Sequence, residues 1–118
     1  MERTEIFPVG IHADESRANF DRRVLGQVPH SKYDQHTDQD LGDQARIWGY
    51  RDKGKGTWRQ LSEGDYLLFY PGNKTYKYAA RISGKEHNPD LGSALFETPD
   101  EPFEYVVFLD SLSYISRL

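Results

Sequence analysis

Apolar and polar positions alternate with a period of two along Ala45 to Tyr50, Tyr76 to Ile82 and Phe103 to Leu109, which predicts three strands. In the first, Ile47 falls on one face and Arg46, Trp48 and Tyr50 on the other; in the last, Phe103, Tyr105, Val107 and Leu109 share a face. Thr4 to Ile11 is rich in β-formers but carries Pro8, which suits an edge position or a bulge, and this strand should end near His12. Gly64-Asp65 turns the chain into Tyr66 to Tyr70, and Pro71-Gly72-Asn73 turns it again, so these residues and Tyr76 to Ile82 form a hairpin with one wet face. Helical spacing appears twice. Asp14 is placed to cap a helix with Phe20 and Val24 four apart on one side, closed by Gly26 and Pro29, and a short turn of helix fits Asp90 to Phe96.

Two stretches lack periodicity. His30 to Gln44 is polar and longer than an ordinary connection, as expected of a lid or a mobile insertion. The glycines at 54 and 56 mark a flexible loop. Five or six short strands with flanking helices predict an α+β domain built on a small curled β-sheet that closes into a partly open β-barrel. The chain has 118 residues, which suits one domain over 1–118.

Composition narrows the function classes. The formal charge of −4 excludes a protein that grips nucleic acid by overall charge, so any such binding must use local patches. With no cysteine there is no disulfide, thiolate metal site or cysteine nucleophile. No apolar run approaches the roughly 20 residues that span a bilayer, and Met1-Glu2-Arg3-Thr4-Glu5 leads into no signal-peptide core; a cytoplasmic protein away from membranes is expected. The ending, through Arg117-Leu118, has no solvating tail, as in a chain that continues through a linker to another domain.

Catalytic motifs find little support. His12, His30, His36 and His87 fit no metal-ligand spacing, and the Asp-rich run Asp34 to Asp43 lacks an EF-hand pattern, so no metal or other cofactor is expected. Asp65, Glu104 and Lys77 are only loose candidates for a nuclease site, and Asp65 after Gly64 is more simply a turn residue. No phosphate-binding glycine loop is present. The expectation is a binding domain, not an enzyme.

The aromatics carry more information. Eight tyrosines exceed the needs of a core, since each buried hydroxyl requires a partner. If Ile47 points to the core, Trp48 and Tyr50 lie outside it or line a pocket of their own; the competing reading for Trp48 is core packing. Beside them Arg46, Arg51, Lys53, Lys55 and Arg59 form a local positive cluster, either an ordinary solvated loop or a phosphate-backbone contact next to an aromatic slot.

The succession Arg46-Ile47-Trp48-Gly49-Tyr50, Gly64-Asp65-Tyr66-Leu67-Leu68-Phe69-Tyr70, Tyr78-Ala79-Ala80-Arg81-Ile82, Leu91-Gly92-Ser93-Ala94-Leu95-Phe96 and Tyr105-Val106-Val107-Phe108-Leu109 resembles the PUA-like superfamily. Within it, the EVE and YTH domains are the most similar, together with the EVE-like N-terminal domains of modification-dependent restriction systems of the McrBC type. The resemblance spans about Ile6 to about Ile115. It implies a module that holds a modified base in an aromatic cage, most simply a methylated base flipped out of DNA; the alternatives are methyladenine in single-stranded RNA and a small-molecule or enzymatic domain of the same fold. By the same resemblance Trp48 is the first cage wall, followed by the small Gly49, and Phe96 stands where YTH domains carry a second tryptophan. Asn19, Tyr50 and Asp65, with main-chain groups near Gly49, are candidates for the polar contacts to the base, and Tyr33 for a movable lid. An attached nuclease or nucleotide-driven motor is the implied partner.

Overall fold

The computed structural model describes residues 4–11, 13–70, 77–96 and 103–115, with the Lys77 side chain left out. The expected features at His12, Pro71-Gly72-Asn73 and Tyr76, the Lys77 side chain and both chain ends lie outside the described residues. Six strands form one mixed sheet in the order β1-β4-β5-β6-β3-β2. They are β1 (Ile6–Gly10), β2 (Val28–Pro29), β3 (Gln44–Tyr50), β4 (Tyr66–Tyr70), β5 (Lys77–His87) and β6 (Tyr105–Ile115). β1 runs parallel to β4; the other pairings are antiparallel. β1 lies at an edge, where Pro8 costs no ladder hydrogen bond.

β5 and β6 form a long antiparallel ribbon whose register slips twice. Arg81 pairs with Ser111 but Ile82 with Leu109, and Gly84 then pairs with Phe108. Each slip bends and twists the ribbon, which curls the sheet without closing it. The sheet stays open.

Among the described residues four short α-helices accompany it: α1 (Asp14–Asn19), α2 (His30–Tyr33), α3 (Lys55–Gln60) and α4 (Pro89–Leu95). Among the described residues no helix is long and apolar enough to cross a membrane. α1 runs into a π-helical segment, Phe20–Leu25, that ends at Gly26. A Cβ on Gly26 would lie 2.8 Å from the Asp21 carbonyl oxygen, so glycine suits the close turn that terminates the helix. Phe20 and Val24 are fully buried, as their spacing predicts, although Ala13 and not Asp14 precedes the helix as its cap.

β3 and β6 bury both faces, each in its own core. The inner face of the curl gathers Phe20, Trp48, Leu67, Phe69, Ile82 and Val107. The outer face of β3 and β6 gathers Ile47, Val106 and Phe108 with Tyr33, Leu91, Leu95 and Phe96 from the helical side. Ile47 and Trp48 thus point to opposite cores, and alternation along β3 does not separate core from solvent.

The polar stretch after Pro29 is mostly exposed but tethered at Tyr33 and His36. It opens with α2, and Tyr33, 1% exposed, donates its hydroxyl hydrogen to the Gly42 carbonyl. Further on, Asn88 Nδ2 donates to the His36 carbonyl (2.7 Å) while Asn88 Oδ1 caps α4 by accepting from Leu91 N–H (3.0 Å). Tyr33 is therefore a core residue and not a lid. The segment after Tyr50 also departs from expectation: the glycine loop contains a 3-10 turn, Asp52–Gly54, followed by α3.

Candidate functional site

β3 and β1 do not pair, and a pocket of about 460 Å³ lies where the sheet fails to close. Val9 and Gly10 of β1 line one side, the start of α1 another, and the end of β3 the third. Its size falls in the range of small-ligand sites, about 300–1,000 Å³. Three aromatic residues, Trp48, Tyr50 and Phe103, contribute to its lining.

Trp48 serves two surroundings. It is 6% exposed and belongs to the inner core, with its ring edge-on to Phe69 at 5.1 Å, yet it also reaches the pocket. Such packing locks its rotamer and makes a rigid wall. Tyr50 lies over Gly54: a Cβ there would come within 3.0 Å of the Tyr50 ring. Burial pushes the Tyr50 phenol up to about 12, so it stays a neutral hydrogen-bonding group at any physiological pH.

Phe103 is held by two glycines. A Cβ on Gly49 would lie 2.9 Å from Phe103 Cβ, and one on Gly92 of α4 would lie 2.0 Å from the Phe103 carbonyl oxygen. Both positions need glycine for this close approach. The Arg51 guanidinium covers the Phe103 ring at 4.4 Å from its centre and pairs with Glu15 of α1 at 2.8 Å. Arg51 and Lys53 thus place two cations on the pocket's lining, with Glu15 balancing one of them.

A second aromatic group supports the loop below. Tyr105 stacks on His87 (4.5 Å between centres) and meets Trp58 edge-on at 5.2 Å. Its hydroxyl donates to Asp52 Oδ1 (3.2 Å), fixing the turn that carries Lys53 and Gly54; burial, then the bond to Asp52, raises the Tyr105 phenol. Trp58 Nε1 donates to the Val106 carbonyl (3.1 Å), and Lys85 Nζ donates to the carbonyls of Trp58 (2.8 Å) and Arg59 (3.1 Å) at the end of α3. These bonds anchor α3 to the sheet and satisfy carbonyls at its C-terminus.

Of the residues singled out from the sequence, the fold brings Trp48, Gly49, Tyr50, Arg51 and Lys53 to one pocket. The others lie elsewhere. Phe96, 3% exposed, sits behind Phe103 in the outer core, 5.1 Å between ring centres, so Phe103 and not Phe96 reaches the pocket. Asn19 lines a neighbouring cleft. Asp65 is buried in the turn before β4, where its carboxylate accepts from Glu5 N–H and Ser62 N–H, each at 3.1 Å. Arg46 Nη1 donates to the carbonyls of Val24 (2.5 Å) and Leu25 (3.2 Å), capping the π-helical segment in place of a phosphate contact. Lys55 faces Asp52 at 3.5 Å, and Arg59 is exposed on α3. Glu104, a loose nuclease candidate, pairs instead with His87 at 2.7 Å.

Phe103 and Glu15 were not among the site residues singled out from the sequence. Phe103 shares the parity of Tyr105 and Val107, which assigned it to the strand; β6 begins only at Tyr105, and the preceding Pro102 was the available signal for a late start. Glu15 carries no signal beyond its place in the first turn of α1.

No family model, curated protein or solved structure matches the chain. The pocket is therefore read from its own chemistry: apolar ring walls, one neutral phenol and a cationic rim.

Proposed function

We propose that this domain binds a modified, most simply methylated, base of nucleic acid, with the base turned out of a DNA duplex into the pocket beside Trp48, Tyr50 and Phe103. The observation that carries this reading is that three aromatic residues line one pocket together with Arg51 and Lys53. Rings suit a planar base, and cations suit the phosphates that flank it.

The energetics are compatible. Extruding a base costs a few kcal/mol, and stacking returns about 1–3 kcal/mol per base. A buried methyl adds about 0.8 kcal/mol, too little for strong discrimination alone, so polar matching must supply the remainder. Tyr50 is our candidate for it: its phenol is largely withdrawn from water, where a hydrogen bond is worth more.

The resemblance to EVE and YTH domains of the PUA-like superfamily supports the same reading, with Phe103 taking the part that the sequence suggested for Phe96. On that reading the domain has no catalytic activity of its own and targets an attached or associated nuclease or nucleotide-driven motor to modified DNA, in the cytoplasm. A panel of duplex and single-stranded oligonucleotides bearing methyladenine, methylcytosine or hydroxymethylcytosine tests it. Preference for one modified duplex supports the proposal; preference for single-stranded RNA overturns the choice of DNA.

A further inference from the structure

A second cleft, of about 190 Å³, adjoins the first along α1. Glu15 lines both cavities. Ala13 and Ser16 face the first pocket, whereas Ala18, Asn19 and Arg22 face the second, so about four residues of helix, on the order of 6 Å, separate the two. That is about the reach from one nucleotide to the next.

The chemistry of the cleft is divided. Ala18, Leu95 and Phe96 make an apolar side, and Arg22 and Arg23 bring two guanidiniums. Arg23 is fixed there, since its Nε donates to the Leu95 carbonyl at 2.7 Å, and Arg22 is exposed. Glu15, the one carboxylate among the described residues of the lining, is paired with Arg51 at 2.8 Å, which offsets its repulsion of an anion. Arginines and apolar residues on one lining match a sugar-phosphate unit, anionic on one side and carbon-rich on the other.

We propose that this cleft binds the phosphate and sugar of the nucleotide next to the one held in the first pocket, with Arg22 as the phosphate contact. It rests on the reading of the first pocket as a base site. The cleft then sets the direction in which the strand crosses α1.

The test compares wild type with Arg22→Gln and Arg22→Glu, substitutions at an exposed position. The probes are N6-methyl-2′-deoxyadenosine and 5-methyl-2′-deoxycytidine as free nucleosides, and duplex oligonucleotides carrying each base, titrated over a range of salt. Arg22→Gln should weaken oligonucleotide binding several-fold, make the slope of log K against log salt shallower by about one, and leave nucleoside binding unchanged. Arg22→Glu should weaken oligonucleotide binding further. An unchanged slope, or an equal loss on nucleosides and oligonucleotides, overturns the proposal. Failure of the base reading has a separate signature: wild type binds modified and unmodified oligonucleotides alike while the Arg22 effect on the slope persists. Absence of any oligonucleotide binding overturns both.

Discussion

Gly49 and Phe103 approach so closely that no side chain fits between them: a Cβ on Gly49 would stand 2.9 Å from that of Phe103 and 3.0 Å from the Phe96 ring. This contact sets Phe103 at the end of β3, where it faces the pocket, with Phe96 behind it. Gly49→Ala should therefore destabilise the domain by about 1–3 kcal/mol, the usual cost of overpacking, and displace a pocket wall. Denaturant unfolding checks the first effect and oligonucleotide binding the second; wild-type values in both would remove the constraint.

Trp48 calls for a different experiment. Because the side chain is part of the inner core, Trp48→Ala should cost about 3–5 kcal/mol of stability, and lost binding by that variant would not separate fold from site. Trp48→Phe keeps much of the packing and a smaller stacking face. It should unfold at lower denaturant than wild type yet bind as a folded protein, with reduced affinity for a modified oligonucleotide.

Asp65 separates structure from recognition. Its carboxylate satisfies two backbone N–H groups that join the start of β4 to the chain before β1. Asp65→Ala leaves those donors short of partners and should cost about 1–3 kcal/mol, with unchanged affinity for any ligand under conditions where the variant is folded. A selective loss of affinity without loss of stability would return Asp65 to the site.

The tyrosines give the domain an alkaline signature. The Tyr50 phenol is held at about 12 in the fold against about 10 in the unfolded chain, so between those values the unfolded state releases the proton first. Stability is fully present below pH 10 and falls as pH rises toward 12, by on the order of 2 kcal/mol from this group. Tyr33 and Tyr105 are raised as well and act in the same direction. Unfolding measured between pH 9 and about 12 should show this decline, and Tyr50→Phe should reduce it; an identical decline in the variant would assign the effect to the other tyrosines.

Much of the fold was legible in the sequence. The α+β class, the edge strand with Pro8, the Phe20–Val24 face, the strand ending at Tyr50 and the helix before the last strand all follow from local patterns. What local patterns do not carry is the second core. A strand covered on both sides loses the polar face that marks its orientation, so alternation along β3 left core packing and pocket lining both open for Trp48, which belongs to the inner core and also lines the pocket. The same limit hid Tyr33, whose surroundings in the sequence are polar but whose ring is covered by α4 and β3 in space. Arg46 and Asp65 looked available because their partners are main-chain groups, which sequence does not reveal. At the pocket, the end of β3 was legible because its residues are contiguous; Phe103 and Glu15 arrive from distant segments.

The most direct test of the central claim is the equilibrium affinity of wild type and Phe103→Ala for one duplex with and without a methylated base. Phe103 is partly buried and packs against the outer core, so denaturant unfolding first establishes that the variant is folded under the binding conditions. Wild type should bind the methylated duplex more tightly, and Phe103→Ala should lose most of that difference, weakening by about 1–3 kcal/mol on the methylated duplex. Equal affinity of wild type for both duplexes, or full methyl preference retained in Phe103→Ala, would contradict the account.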